Sequence, residues 1–130
     1  MDRKEFDELL PEFIEGAKCA LEFTLEEEHD SNYDDASDLL FENGCRLFLN
    51  KTYYLFQMEN QKRAELGIED KEFDDYARDF FFTAFGHGVG FWEVSHEDWL
   101  FANDTLTIQA NKIFHTGISA YVEDGKIFIG

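Results

Sequence analysis

Four histidines are the first residues to weigh for chemistry. His87 stands between glycines in Gly86-His87-Gly88-Val89-Gly90-Phe91-Trp92, His96 precedes Glu97 and Asp98, and His29 and His115 stand apart. A histidine in such a turn is suited to proton transfer, anion contact or metal ligation. Zinc is held by His and carboxylate ligands, but no pair here has the HxH or HExxH spacing. Nor do the glycines form a phosphate loop, since no Lys follows them and no strand-like run precedes them. The expectation is a structural corner at Gly86, His87, Gly88, Gly90 and Trp92. Glycine allows backbone angles closed to other residues there, and Trp92 would anchor the turn from helix into sheet. The alternative is a small ligand-binding or enzymatic site at this corner, lined by His87, Trp92 and His96.

Other chemistries find less support. The acidic run from Glu26 to Asp38 lacks the glycine and terminal Glu of a calcium loop. With 29 Asp and Glu in the chain, close carboxylate pairs arise by chance, whereas acid–base work needs surroundings that drive two pKa values apart. There is neither a GxSxG string nor a Cys–His signature. Cys19 and Cys45 have no zinc spacing and no disulfide framework, and are expected as reduced, buried thiols. The sequence predicts no catalytic residue, no metal and no cofactor, hence no enzyme.

Charge is the dominant feature. The net charge is -18, and Cys19 to Cys45 contains nine carboxylates and no Lys or Arg. A charge imbalance of this size suits disordered chains, but those are poor in aromatics, and this one is 44% hydrophobic with 15 Phe. A single domain over 1–130 with a true core and an anionic exterior is expected. The pI near 4.3 excludes direct attraction to nucleic acid or anionic membrane, which needs clustered Lys and Arg. No apolar run approaches a membrane span. The implied partner is basic: a nucleic-acid-binding protein whose channel accepts an imitation of DNA. The residues expected to provide that surface are Glu26, Glu27, Glu28, Asp30, Asp34, Asp35, Asp38 and Glu42, with Glu69, Asp70, Asp74 and Asp75 as a second patch. Exposed aromatics would favour a homodimer or a self-associating structural protein instead.

The elements that must carry these residues follow from hydrophobic period and capping signals. Pro11 is placed at the first position of a helix with Phe13, Ile14, Ala17, Ala20 and Leu21 on one face. Gly16 weakens that helix and marks a close contact. A second helix starts near Tyr33 or Asp34 and runs to Leu66, with Leu39, Leu40, Cys45, Phe48, Leu49, Tyr53, Leu55 and Phe56 in its apolar band and Gly67 as its stop. It is expected to bend near Gly44 or Asn50. Asp70 is read as the N-cap of a third helix that turns Asp74, Asp75, Arg78 and Asp79 outward. Asn103 opens a fourth helix, ended by Gly117. Ile118–Glu123 and Lys126–Ile129 read as a hairpin around Asp124-Gly125, with a third strand at Val89–Glu93. The fold class is α+β, mainly helical with three to four helices and a small C-terminal antiparallel sheet.

Asp79 to Glu93, DFFFTAFGHGVGFWE, resembles a stretch of the type DFWLTRNGHGAGFWD in a widespread family of small bacteriophage proteins. Its counterparts here are Asp79, Phe80, Phe81, Thr83, Gly86, His87, Gly88, Gly90, Phe91 and Trp92. The family's ending of the type YVGDDGKIY is similar to Tyr121-Val122-Glu123-Asp124-Gly125-Lys126-Ile127-Phe128. The resemblance spans residues 70–130 and departs at Ala84-Phe85, where the family has Arg-Asn, so no role of that Arg carries over. It implies a phage accessory product in the host bacterial cytoplasm and supplies no catalytic residues. It directs the expected partner toward a host nuclease, a restriction enzyme or a CRISPR effector, as an anti-restriction or anti-CRISPR inhibitor.

Overall fold

A computed structural model describes residues 2–86, 90–91, 99–101, 103–114 and 118–130. Among these, four helices precede one hairpin: α1 (Arg3–Thr24), α2 (Asp35–Leu66), α3 (Phe73–Phe85), α4 (Asn103–Ile113), β1 (Ala120–Glu123) and β2 (Lys126–Ile129). The architecture is the mainly helical α+β class with a small antiparallel sheet.

α1 begins eight residues before Pro11, contrary to the sequence expectation. Asp2 caps it by accepting the Glu5 N–H at 2.8 Å. An interior proline forfeits a helix hydrogen bond and crowds the preceding turn, a cost of about 3 kcal/mol. Burial offsets it: Leu10 sits in the core, and Phe6 and Leu9 pack against it. The apolar face of Phe13, Ala17, Ala20 and Leu21 is buried as its spacing requires. Gly16 faces α3, where an added Cβ would lie 2.9 Å from the Ala77 Cβ, so it is a close helix contact.

α2 is capped by Asp34, whose carboxylate accepts the Ser37 N–H at 3.2 Å. It closes on Gly67, left-handed at φ 71°. Leu39 and Leu40 do not join the core, being 60% and 39% exposed. The buried face at this level is formed by Ser37 and Phe41, and Ser37 Oγ accepts the Ile129 N–H at 2.9 Å. Gly44 serves contact with α4: a Cβ there would stand 2.4 Å from Phe114 Cζ.

α3 starts after Glu72, not Asp70. The Asn60 side chain takes both the N–H and the carbonyl of Lys71, at 2.7 and 3.0 Å. That pairing holds Lys71 outside the helix, and the turn begins where Glu72 and Asp75 form a reciprocal capping box. Asp79 does not face outward; it is buried.

Aromatic rings fill the space between helices. Phe48 stacks on Phe80 with centroids 4.4 Å apart, and Phe56 on Tyr76 at 4.8 Å. Phe13 meets Tyr76 edge-on at 5.0 Å, the geometry favoured by ring quadrupoles. The buried Tyr76 hydroxyl is satisfied by Thr52.

The hairpin pairs Ala120 with Ile129 and Glu123 with Lys126. Asp124 and Gly125 both have positive φ, 52° and 73°, which is the two-residue turn that matches strand twist. On its other side β2 is held by the segment before α2: Ile127 N–H donates to the Asn32 carbonyl at 2.7 Å, and Asp34 N–H donates to the Ile127 carbonyl at 2.9 Å. Of the third strand expected at Val89–Glu93, Gly90 and Phe91 are not in a strand, while Val89, Trp92 and Glu93, like Gly117, lie outside the described residues. Among the described residues no helix is long and apolar enough to cross a membrane.

Candidate acidic interface

The anionic surface is built on α1, the segment that follows it and Asp74 of α3. Glu8, Glu12, Glu15, Cys19 and Glu22 follow each other at three- and four-residue steps along α1. On a helix such residues are neighbours about 5–6 Å apart. The stripe from Glu8 to Glu22 therefore extends about 21 Å along the axis at 1.5 Å per residue. Across the contact with α3, Asp74 joins it: Glu12, Glu15, Gly16, Cys19 and Asp74 line one groove of about 380 Å³. The stripe continues into exposed Glu26, Glu27, Glu28 and Asp30. Glu26 and Glu27 lie beside Tyr121 and Val122 of the hairpin.

The carboxylates expected from sequence divide into two groups. Glu26, Glu27, Glu28, Asp30, Asp35, Glu69, Asp70 and Asp74 are exposed. The other four are engaged within the fold. Asp34 caps α2. Asp38 is bound by Lys18, which also stands 4.0 Å from Glu42. Asp75 closes the α3 capping box and pairs with Arg78 at 3.2 Å. Sequence reading missed Glu8, Glu12 and Glu15, although their helical spacing with Glu22 was visible.

Of the 11 Lys and Arg, Arg63 and Lys71 are buried, Lys18 is half-buried and the other eight are exposed. Arg63 and Glu59 form a buried pair at 2.6 Å, 3% and 0% exposed. Arg63 Nη1 donates to the Glu69 carbonyl at 3.1 Å. Glu59 further accepts the N–H groups of Leu100 and Phe101 at 3.2 and 2.8 Å. Lys71 is buried with its ammonium 5.2 Å from the Trp99 ring centroid. Arg78 Nε donates to Asp79 Oδ1 at 3.2 Å. Burial raises the Asp79 carboxyl above its ordinary pKa, opposed by the Trp99 N–H, Arg78 and Lys71. Burial of Arg63 and Lys71 withholds two positive charges from the surface.

The glycine corner is described at its ends. Gly86 is the left-handed C-cap of α3 at φ 69°, and Gly90 is buried. Phe91 anchors the corner, its N–H donating to Thr83 Oγ1 at 3.0 Å and its ring stacked on Phe48 at 5.7 Å. His87, Gly88, Trp92 and His96 lie outside the described residues, as does His115. Among the described residues no group of three His, Cys, Asp or Glu could hold a metal ion. Cys45 is buried, and that burial pushes its thiol well up, whereas Cys19 is exposed on the stripe, contrary to the expectation of two buried thiols.

No known protein family matches the chain, no curated protein matches it, and no solved structure matches it.

Proposed function

We propose that this protein is an acidic binding module that occupies the nucleic-acid channel of a basic partner as a DNA mimic. The observation that carries the reading is the α1 stripe, joined by Asp74 and extended through Glu26–Asp30, on a chain of net charge -18. Duplex DNA presents one charge per about 1.7 Å of axis, and a rigid helical face of carboxylates offers a partner's Lys and Arg a comparable line of anions. The partner class is a host nuclease, restriction enzyme or CRISPR effector, in the bacterial cytoplasm, and the protein is an inhibitor with no cofactor of its own. The resemblance of Asp79–Glu93 to phage accessory proteins supports that setting.

The test is capture from a bacterial lysate, with elution by salt and by duplex DNA. The control is a variant carrying Glu12→Gln, Glu15→Gln and Asp74→Asn. Binding is expected to compete with DNA, to fall on the order of a hundredfold between about 50 and 200 mM salt, and to be lost in the variant. Retention of the same partner by the variant, or elution unaffected by DNA, would sink the reading.

A second reading is self-association. Leu40, Leu47 and Tyr54 recur every seven residues on α2, followed by Met58, and all four are 39–56% exposed. A seven-residue apolar repeat is the seam of paired helices. Light scattering discriminates the two: screening favours the meeting of two like-charged copies and weakens a mimic's hold on a basic partner.

A further inference from the structure

We propose that the cleft between α1 and the segment from Ser31 to Glu42 binds a small organic cation, an ammonium or guanidinium group on an apolar stem. The cleft holds about 530 Å³, within the range of small-molecule sites. It shares Glu15 and Cys19 with the α1–α3 groove, its other lining residues are its own, and the proposal does not depend on DNA mimicry.

Its walls differ in kind. Leu10, Pro11 and Ile14 supply an apolar side. Glu15, Glu22 and Glu42 supply carboxylates, with Lys18 as the cation among the described lining residues. Lys18 is already occupied: it binds Asp38, stands 4.0 Å from Glu42, and lies 4.4 Å from the Tyr33 ring centroid. Glu15 and Glu22 are left without a cation among the described residues. The Ser31 hydroxyl donates to Glu22 and fixes that carboxylate at the rim.

The Tyr33 hydroxyl is the independent observation. Its oxygen is buried and has no hydrogen-bond partner among the described residues, a rare and unfavourable condition for a polar atom. Burial first, then the Glu22 carboxylate beside it, push the phenol well above its ordinary range, so it stays protonated. The Glu22 carboxylate is the neighbour of the O–H, and the lone pairs of the phenolic oxygen accept from no group among the described residues. A ligand N–H would donate to the phenolic oxygen and to Glu22 together, while the stem covers Leu10 and Ile14. An anion would meet uncompensated carboxylates, and a neutral donor would hydrogen-bond to them without the added attraction of opposite charge.

The experiment is an NMR titration of the full chain with phenethylguanidinium and with its neutral isostere, phenethylurea. Saturable shifts are expected at Lys18, Ser31 and Tyr33, with the urea binding at least about tenfold more weakly, the scale of one charge-assisted contact. Glu15→Gln and Glu22→Gln should each weaken the guanidinium by about the same factor. Tyr33→Phe should weaken it with an unchanged circular dichroism spectrum. Cys19 at the rim gives a second readout: bound guanidinium should slow its alkylation by iodoacetamide, with buried Cys45 as the inert reference. Equal binding of the urea, unsaturable shifts spread over the acidic surface, unchanged affinity in both Gln variants, or no protection of Cys19 would each overturn the proposal.

Discussion

The Trp99 indole N–H donates to Asp79 Oδ2 at 2.7 Å in a buried site. This bond ties the segment after the glycine corner to the middle of α3, and Arg78 and Lys71 supply compensating charge. Asp79→Ala is expected to leave the indole N–H unpaired and cost about 1–3 kcal/mol, read as a lower melting temperature. The pH dependence has a definite sign. The folded-state pKa of Asp79 is raised, so its contribution is fully present below the ordinary Asp value and is lost as pH rises through the folded one. Acidification from neutrality toward the ordinary Asp range should stabilise the wild type, and Asp79→Asn should reduce that gain. An identical acid-side profile in the variant would show that Asp79 does not titrate this way.

Glu59 and Arg63 provide a sharper test of buried charge. Removing one partner of a buried pair costs about 3–5 kcal/mol. Glu59→Ala removes the carboxylate that Arg63 Nε and the N–H groups of Leu100 and Phe101 donate to. Glu59→Met with Arg63→Met should be milder than Glu59→Ala, because neither charge is then left alone. Denaturant unfolding of the three proteins checks the ranking.

Gly44→Ala separates helix propensity from packing. Alanine gains about 1 kcal/mol in a helix interior, but its Cβ would stand 2.4 and 2.6 Å from two Phe114 ring atoms. That ring is enclosed by Phe41, Phe80 and Phe85. Overpacking costs about 1–3 kcal/mol, so net destabilisation is expected in a thermal melt despite the better helix former.

Salt should act in opposite directions on folding and on partner binding. A net charge of -18 opposes compaction through self-repulsion. Moving from about 10 to 150 mM salt shortens the screening length from about 30 to 8 Å and should raise the melting temperature. Calorimetry across that range checks it, and a steady fall would contradict it.

Much of the fold was legible because local signals agreed with tertiary needs. Asp124-Gly125 specified the hairpin turn, Gly67 the end of α2, and the spacing of Phe13, Ala17 and Leu21 the buried face of α1. Helix starts were misplaced where distant contacts decided: Asn60 delays α3, and the burial of Leu10 carries α1 through Pro11. The burial of Glu59 and Arg63, four residues apart, had no signal in the sequence: the groups that bond to them include Leu100 and Phe101, 41 and 42 positions from Glu59, and the Glu69 carbonyl. The acidic site was half visible. The dense run at Glu26–Asp38 is conspicuous in one dimension, whereas Glu8, Glu12 and Glu15 are interleaved with core residues and gather only when the helix is wound. Asp34 and Asp38 lay in the dense run but serve a cap and an ion pair.

Ser37 at the start of α2 is joined to Ile129 across 92 positions of sequence. The first turn of the longest helix therefore waits for a strand that leaves the ribosome last among the described elements. Closing so long a loop carries an entropic cost before any reward arrives, and such distant pairings slow folding. The nascent chain should hold Asn32–Ser37 open until β2 emerges, leaving the acidic loop accessible to proteases during synthesis and shielded on one side afterwards.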